Sequence, residues 1–330
     1  MRVMEFEQKP MNSAEVSHAA MMTGLASRHD ILVDLIGDRP LHYVDFPVHG
    51  NIGDLLIMHG TLAFFRKNNL VPRLSAPAFT YEPEWIDTGE VIVFHGGGNF
   101  GDLYAEYGMQ LLREYVVSSR PENRIIILPQ TIHFSSAEER QRSATLFRTH
   151  PDVHICVRDH ASYQIAQEFS DYVYLLPDMA HQLYRINSAA SAQDLGTLLI
   201  SRMDDEKSDA ADAMQFDAVA TTDWPLLVGD SERHIESFRR AMRVMHRFGM
   251  GWLGNKVLSG LWARYSDRLI TNAITLFSAH ERIVTDRLHG HILACLMDKP
   301  NTVLDNSYGK NSSYVSTWTV NSELVTLQKI

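Results

Sequence analysis

Residues 281–297 read Glu281-Arg282-Ile283-Val284-Thr285-Asp286-Arg287-Leu288-His289-Gly290-His291-Ile292-Leu293-Ala294-Cys295-Leu296-Met297. A short strand-like run leads through a polar turn into an apolar helix-like run, which is the pattern of a βα unit. The turn places the cation Arg287 and the imidazole of His289 between a strand end and a helix start. Helix N-termini attract anions, and ligands of open α/β sheets bind at the carboxyl ends of strands. The turn therefore predicts an anion site that can also move a proton near neutral pH; the alternative is a capped junction with solvated charges.

The same alternation of strand-like and helix-like segments runs through the chain from residue 41. Strands are predicted at Leu41–Phe46, Val91–His95, Arg124–Leu128, Val153–Val157 and Tyr172–Leu176, then at Thr197–Ile200, Asp217–Thr221, Arg282–Thr285 and Thr302–Leu304. Helices are predicted at Asp54–Asn69, Leu103–Ser118, Ser136–Thr149 and Ala161–Phe169. Such alternation is typical of parallel sheets covered on both faces.

A small, polar stretch at residues 187–194 separates the two series and has the composition of a linker. We therefore predict an α/β fold of two Rossmann-like, doubly wound domains that face each other across a cleft. Residues 1–190, with an N-terminal helical extension, would form the first domain, and residues 191–330 the second.

Composition and charge exclude several classes of protein. The chain has 330 residues, 45% of them hydrophobic and 21% charged, and a formal net charge of −10. This balance is typical of a globular protein and argues against nucleic acid as the main partner, because no overall basic field exists. Two cysteines are too few for a disulfide framework, the first residues lack the layout of a secretory signal, and no run of about 18 apolar residues exists. These features predict a cytoplasmic protein.

Two glycine-rich segments follow predicted strands and share the pattern Gly-Asn-x-Gly-Asp. They are Gly50-Asn51-Ile52-Gly53-Asp54 and Gly96-Gly97-Gly98-Asn99-Phe100-Gly101-Asp102. Glycines let another molecule approach the backbone, and Asn and Asp side chains suit a hydroxyl-rich ligand such as a sugar. The alternative is that Asp54 and Asp102 only cap helices. The second segment also fits the dinucleotide fingerprint, but no acidic residue ends the next strand to hold a ribose, so a nicotinamide cofactor is not expected.

Other polar residues stand at predicted strand ends, where they can point into a cleft. They are His133, Arg158, Asp178 and Arg202. Each arginine could instead pair with the aspartate that follows it closely in sequence, and His133 or Asp178 alone favours a structural role. The spacing of His, Cys, Asp and Glu residues fits no zinc motif, so no metal site is predicted.

Taken together, five segments in order resemble the polysaccharide pyruvyl transferase family over about residues 40–318. They are Gly50–Asp54, Gly96–Asp102, Val157-Arg158-Asp159, Ser201-Arg202 and Asp286-Arg287-Leu288-His289-Gly290. The resemblance implies a fold of the GT-B glycosyltransferase type. It also implies transfer of the carbon skeleton of phosphoenolpyruvate to a sugar of an exopolysaccharide, or of its lipid-linked precursor, forming a pyruvate ketal and releasing phosphate.

Site residues follow from the resemblance position by position. Arg287 and His289 would be catalytic and belong to the phosphoenolpyruvate site in the second domain, with Arg158 facing them and Lys310 as a further phosphate ligand. Arg202 is added to this set from its strand-end position. The acceptor side, in the first domain, would comprise Asn51, Asp54, Gly97, Gly98, Asn99, Asp102 and His133.

The chemistry of phosphoenolpyruvate supports this assignment. A phosphate and a carboxylate call for two or three arginines, and C2 becomes electrophilic only when C3 is protonated, a step for which His289 would be the general acid. Flanking arginines would lower the pKa of His289, and the bound anion would reverse that effect. Phosphoenolpyruvate is a co-substrate here, and no cofactor is expected.

Residues 232–268 carry eight positive and three negative charges in a chain that is acidic overall, together with tryptophan, leucine and other apolar residues. Basic charge beside Trp and Leu is typical of a peripheral protein on an anionic membrane. The segment therefore predicts contact with the inner face of the plasma membrane. The alternative is that the apolar residues are helix core and the arginines a solvated face.

Two other functions compete with pyruvyl transfer. A nucleotide-sugar glycosyltransferase of the same architecture would need an acidic ribose contact and a base-stacking pocket, neither of which the sequence offers. A non-catalytic saccharide- or anion-binding protein would require Arg287 or His289 to turn away from the cleft.

Overall fold

A computed structural model describes residues 17–104, 106, 108–187, 195–203, 218–305 and 309–328. The strands are β1 (Leu41–Val44), β2 (Leu74–Ala76), β3 (Val91–Phe94), β4 (Gly97–Gly101), β5 (Arg124–His133), β6 (Val153–Val157), β7 (Tyr172–Leu175), β8 (Thr197–Ile200), β9 (Ala218–Thr222), β10 (Arg282–Thr285), β11 (Asn301–Leu304) and β12 (Val325–Gln328). The helices are α1 (His18–Ser27), α2 (Ile31–Ile36), α3 (Ile52–Lys67), α4 (Met109–Ser119), α5 (Ala137–Phe147), α6 (His160–Phe169), α7 (Trp224–Val228), α8 (Glu232–Met245), α9 (Gly251–Ser278), α10 (Leu288–Leu296) and α11 (Lys310–Trp318).

All strand pairings in the described ranges are parallel, and they form two sheets. The first has the order β2-β1-β3-β5-β6-β7, with β4 paired to β5, and the second the order β12-β11-β10-β8-β9. In each sheet the chain begins on an inner strand, moves to one side, and then returns to build the other side. The direction therefore reverses between β1 and β3 in the first sheet and between β8 and β10 in the second. Ligands of doubly wound sheets bind outside the carboxyl ends at such switch points.

Alternating residues of the first sheet bury opposite faces, as a strand's two-residue period requires. Val91 and Val93 of β3 point into one apolar cluster, while Ile92 and Phe94 point into another with helices α4 to α6. The first cluster also contains residues of the second sheet, such as Leu198 and Ile283. The sheets are therefore parallel, apolar on both faces where helices cover them, and joined by a continuous apolar core.

The predicted α/β class and most predicted elements are confirmed. The helix predicted at Leu103–Ser118 is wrong at its start, because α4 begins at Met109 and β4 occupies Gly97–Gly101. Strand β5 runs on to His133, and its extension pairs with β4 through Phe100 opposite Ile132. Gly101 has φ of 117° and lies so close to His133 that an added methyl carbon would be 1.7 Å from the His133 carbonyl oxygen, so only glycine fits there. Strands β2 and β12 are further elements that the apolar pattern did not predict.

Three helices tie the two sheets together. In α9, Trp262 donates from Nε1 to the Pro47 carbonyl at 2.7 Å. In α11, Trp318 donates from Nε1 to the Arg158 carbonyl at 2.8 Å. In α1, His18 Nε2 lies 2.9 Å from the Cys295 carbonyl of α10.

The predicted linker lies almost wholly at residues 188–194, outside the described residues. The boundary at residue 190 and the cleft between two domains therefore stay predictions. None of the helices in the described ranges has the length and apolar character needed to cross a membrane.

Candidate active site

The first glycine-rich segment follows β1 and opens helix α3. Asn51 caps this helix, because its side-chain oxygen accepts from Gly53 N at 3.0 Å. Asp54 is therefore not the capping residue, and its carboxylate lies 3.8 Å from His49 Nε2. It also approaches the second glycine-rich segment, since a methyl carbon added to Gly97 would be 3.6 Å from Asp54 Oδ1. Asp54 thus extends from the end of the first segment toward the second, at the first switch point.

The imidazole of His289 lies directly on the first of these segments. A methyl carbon added to Gly53 would be 2.6 Å from His289 Nδ1, which is closer than a real side chain could come. Gly53 therefore leaves the space that the His289 ring occupies. This contact brings the turn after β10, in the second sheet, against the turn after β1, in the first.

Arg158, Asp178 and His289 form one buried group of charges. Asp178, which follows β7, is fully buried and accepts from Arg158 Nη1 at 2.7 Å on Oδ2. The same oxygen lies 3.3 Å from His289 Nε2. Burial alone would raise the pKa of Asp178, but His289 and Arg158 outweigh it and hold that pKa well below its usual range. Asp178 is therefore a carboxylate at neutral pH.

Arg158 does not pair with the aspartate next to it in sequence. Asp159 caps α6 instead, accepting from Ser162 N at 2.7 Å. Arg158 Nε donates to Thr131 Oγ1 at 2.9 Å, and Nη2 lies against the second glycine-rich segment, 3.3 Å from where a methyl carbon on Gly98 would be. A guanidinium thus reaches the switch point of the first sheet where a glycine exposes backbone.

Helix α11 closes this group from the far side. The Tyr314 hydroxyl accepts from Asp178 N at 3.0 Å and lies 2.8 Å from His181 Nε2. Lys310 begins the same helix, and its side chain lies outside the described part of the chain. The fixed backbone and carboxylate of Asp178 give His289 a rigid neighbour.

Arg287 belongs to a second group of charges, at the switch point between β8 and β10. Its Nε and Nη2 donate to Asp223 Oδ1 and Oδ2 at 2.7 and 2.6 Å. Asp223 is fully buried and also accepts from Met203 N at 3.0 Å and Trp224 N at 2.7 Å. This bidentate pair fixes the orientation of Arg287, because two N–H groups of the planar guanidinium bond to the two carboxylate oxygens of Asp223.

Arg202 follows β8 in the same group. Its backbone N donates to Asp286 Oδ1 at 2.8 Å. Burial raises the pKa of Asp286, although that hydrogen bond and the charges of Arg287 and Arg202 lower it in part. Arg202, Asp286 and Arg287 therefore lie together at one switch point. Asp204, the aspartate that Arg202 was considered to pair with, lies outside the described residues.

Asn99 and Asp102 have structural partners rather than open side chains. Asn99 Oδ1 accepts from Arg113 Nη2 at 2.6 Å and from Gln130 Nε2 at 2.8 Å. Asp102 accepts from Ser135 N at 2.8 Å and does not start a helix, so the expectation that it stands at the start of a helix is wrong. His133 ends β5, where its carbonyl accepts from Asp102 N at 3.2 Å.

Two buried aspartates of the site were not assigned from the sequence. Asp178 stood at a strand end, which is a usable signal, but nothing local shows that it meets His289 across the molecule. Asp223 precedes Trp224-Pro225, a helix start, and that capping pattern was the available signal. The described ranges contain no group of three or more His, Cys, Asp or Glu side chains arranged to hold a metal ion.

Fold and site together define an α/β protein of parallel sheets with buried arginine–aspartate pairs and an imidazole at its switch points. The family model for polysaccharide pyruvyl transferases matches residues 51–308. The Bacillus subtilis (strain 168) protein "Putative pyruvyl transferase EpsO" is 39% identical over 90% of this chain and 91% of its own length. The chain belongs to the polysaccharide pyruvyl transferase family and is an enzyme of that class.

Two further comparisons agree with this placement. "Pyruvyl transferase 1" of Schizosaccharomyces pombe is 28% identical over 86% of this chain and 70% of its own length. The crystal structure of an uncharacterized protein from Klebsiella pneumoniae superimposes with a TM-score of 0.58 at 20% identity, covering 93% of this chain and 99% of that one. The latter likeness supports the fold alone. Family membership selects pyruvyl transfer to a polysaccharide from the three functions that the sequence left open.

Proposed function

We propose that the enzyme uses phosphoenolpyruvate as its donor and forms a cyclic pyruvate ketal on a sugar of an exopolysaccharide or of its lipid-linked precursor. The single observation that carries this proposal is the contact between the switch points: His289 lies on Gly53 and beside Asp178, which holds Arg158. An imidazole, which can act as a proton donor, and a guanidinium thus lie where doubly wound sheets bind their ligands.

Arginines supply the donor's anion site. Phosphoenolpyruvate carries a phosphate and a carboxylate, and Arg158, Arg202 and Arg287 are the cations at the two switch points. Arg158 and Arg287 each use part of their guanidinium on a buried aspartate, which fixes their orientation before substrate arrives. A preorganised cation costs little to align in the transition state. Lys310 stays a further candidate for the phosphate.

The acceptor sugar would lie along the glycine-rich segments. Gly97 and Gly98 have no side chains that would block a sugar there. Asp54, at the end of the first segment, extends its carboxylate toward the second. Asn51, Asn99 and Asp102 would act mainly by shaping the backbone, because their side chains already hold other groups of the protein. His133, at the end of β5, stays a candidate for contact with the more distant part of the acceptor.

The reaction balances without a cofactor. His289 gives a proton to C3 of phosphoenolpyruvate, so the methylene becomes a methyl group and C2 becomes an oxocarbenium-like centre. One sugar hydroxyl bonds to C2, and its proton replaces the one that His289 gave up. The bond from C2 to the phosphate oxygen then breaks, and the arginines stabilise the departing phosphate. A second hydroxyl bonds to C2 to close the ketal, and its proton leaves with the phosphate.

A coupled assay tests the proposal. The purified protein is incubated with phosphoenolpyruvate and oligosaccharide or lipid-linked acceptors, and phosphate release and acceptor mass are followed. We expect phosphate release that needs both substrates and an acceptor heavier by one ketal-linked pyruvate. Phosphate release without an acceptor, or acceptor modification without phosphoenolpyruvate, would contradict the proposal.

Replacing Gly53 with alanine is expected to lower turnover by about 10²-fold, because the new methyl group must push the His289 ring aside and a misplacement of about 1 Å is that costly. The methyl carbon would also be 2.8 Å from His289 Cγ and 3.0 Å from its Cβ, so we expect the melting temperature to fall as well. Gly24→Ala is the matched control, because Gly24 also lies in a helix and a methyl carbon there would meet nothing within 4 Å. Equal turnover in the two variants would show that His289 is not required in this position.

The basic segment supports a finer proposal about location. Its apolar residues divide into two sets: Trp262 is buried, whereas Phe248, Met250, Leu253, Val257 and Leu261 are 45–72% exposed. We call the exposed set the apolar stripe. Exposed basic residues accompany it, namely Arg240, Arg247, Lys256, Arg264 and Arg268, and none of these forms an ion pair with another residue of the described ranges. We infer that the stripe rests on an anionic lipid surface, which would place the enzyme at the inner face of the plasma membrane.

Vesicle flotation tests this location. We expect the protein to float with vesicles containing phosphatidylglycerol, to release at about 0.5 M salt, where charges are screened, and to ignore neutral vesicles. Leu253→Gln with Leu261→Gln should weaken binding by about tenfold or more, since each leucine contributes about 1.5–3 kcal/mol when buried. Leu111→Gln is the matched control, because Leu111 is a 65% exposed leucine on α4. No binding to anionic vesicles, or self-association through the stripe instead, would overturn this location.

A further inference from the structure

We propose that Asp178 is a positioning residue for pyruvyl transfer: it holds the His289 ring in one orientation and fixes the proton of the neutral ring on Nε2, so that Nδ1 exchanges the proton with the substrate. This inference rests on the proposed role of His289 as the general acid. It adds a residue and a specific atom to that role.

Asp178 is held rigidly enough to act in this way. Oδ1 accepts from Ala180 N at 2.9 Å, and the backbone N donates to the Tyr314 hydroxyl at 3.0 Å. Oδ2 is shared between Arg158 Nη1 at 2.7 Å and His289 Nε2 at 3.3 Å. A fully buried carboxylate with this many partners has no freedom to rotate away.

The two nitrogens of the His289 ring face different surroundings. Nε2 faces the carboxylate of Asp178, which can only accept a hydrogen bond while it is ionised. Nδ1 faces the backbone of Gly53, at the switch point where the substrate would bind. Because a carboxylate favours an N–H in front of it, the neutral ring should carry its proton on Nε2. Nδ1 is then the nitrogen left to take up the catalytic proton and deliver it.

The ionisable groups around His289 are Asp178, with Arg158 behind it, His95 after β3, His181 in the turn Met179–Leu183, and His291 on α10. Burial lowers the pKa of His95 and His181 to about 3 and that of His291 to about 4, so these three rings are neutral at pH 7. The charged groups nearest to His289 are therefore the Asp178 carboxylate and, behind it, the Arg158 guanidinium.

A variant and a spectroscopic measurement test Asp178 separately. In Asp178→Asn, we expect kcat to fall by about 10²-fold or more and the high-pH limb of kcat to move to lower pH, because the imidazolium loses its carboxylate partner. In a His289→Gln background, the same substitution should cost at most about threefold, since Asp178 acts through His289. Tyr314→Phe removes a hydroxyl that holds the backbone of Asp178 but spares the carboxylate, so its pH limb should stay in place. An unmoved limb in Asp178→Asn, or additive losses in the double variant, would overturn the inference.

The measurement uses the unaltered protein and needs no activity. Nitrogen NMR of the ¹⁵N-histidine-labelled enzyme, with the His289 signals identified by their loss in His289→Gln, reports which ring nitrogen carries the proton. We expect the Nε2–H form above the titration midpoint, and an Nδ1–H form would contradict the inference even if Asp178→Asn did not fold. If the unaltered enzyme failed to transfer pyruvate at all, the proposed function would fail while this measurement still decided the role of Asp178.

Discussion

Replacing His289 with glutamine is expected to lower kcat for pyruvyl transfer by about 10²- to 10⁴-fold, the range that positioned general acids contribute. Glutamine keeps a side chain of similar reach and can still donate a hydrogen bond to Asp178, but it cannot deliver a proton to C3. Binding of phosphoenolpyruvate depends on the arginines, so KM should change much less than kcat. Steady-state kinetics with a saturating acceptor measure both quantities.

The control for this variant is His160→Gln, because His160 is an exposed histidine at the start of α6. It should leave kcat within about twofold of the unaltered enzyme, as surface substitutions away from special features usually do. A His289→Gln enzyme whose KM rises while its kcat is unchanged would show that the imidazole binds the donor and does not protonate it.

Lowering the pH from about 7 to 5 is expected to remove much of the free energy of unfolding, because five imidazoles are buried in neutral form. Burial lowers the pKa of His29, His42 and His291 to about 4 and that of His95 and His181 to about 3. All five are at most 2% exposed. His29, for example, lies 2.8 Å from the Pro177 carbonyl through Nε2 and has no room for a hydration shell.

The free energy of unfolding falls in acid because the unfolded state binds more protons than the folded state. The unfolded chain protonates these rings near pH 6.5, and the folded protein does so only near pH 3–4, so the unfolded state binds more protons in between. Stability is therefore fully present above pH 6.5 and falls as the pH drops. Each ring should cost roughly 2 kcal/mol at pH 5, against a typical total stability of about 5–15 kcal/mol. Burial raises the pKa of Asp45 to about 6, and this carboxyl group opposes the trend, but it is one group against five imidazoles.

Urea unfolding followed by circular dichroism at several pH values measures this loss. We expect the midpoint to fall steeply between pH 6.5 and 5, with carbon-labelled histidine signals of the folded protein still untitrated in that interval. A midpoint that is constant over this range would show that these rings are not the groups that limit stability in acid.

Apolar periodicity predicted the central elements of the fold because a strand buried on both faces must be apolar throughout. The prediction of β3 at Val91–His95 and that of α3 at Asp54–Asn69 lie within two residues of the observed bounds. Strand β4 has no such signal, since Gly97–Gly101 is rich in glycine and becomes a strand only because the extended β5 offers it an edge. The order of the strands in each sheet could not be predicted either, because the pairing of parallel strands depends on the crossover connections and not on the local sequence pattern.

Site residues divide in the same way. The family resemblance selected Arg158, Arg287 and His289, and strand-end position added Arg202. The structure brings Arg158 together with His289 and Arg202 together with Arg287. Asn99 and Asp102 were assigned to the acceptor side by the same resemblance, yet their side chains bond within the protein. Position at a strand end shows that a side chain can lie at the ligand-binding edge of the sheet. It does not show whether that side chain is already hydrogen-bonded to another part of the protein.

The α/β class and the positions of most strands and helices could be predicted from the amino-acid sequence, and the charged turns predicted an anionic ligand. These properties depend on residues close together in the chain, whose periodicity and spacing can be read directly. Only the tertiary structure decided that Asp178 meets His289, that Gly53 makes room for the same ring, and that Asp223 holds Arg287. Those contacts join residues that are from 64 to more than 200 positions apart in the chain. They form only when the two sheets pack together, and no local sequence pattern shows how the sheets pack.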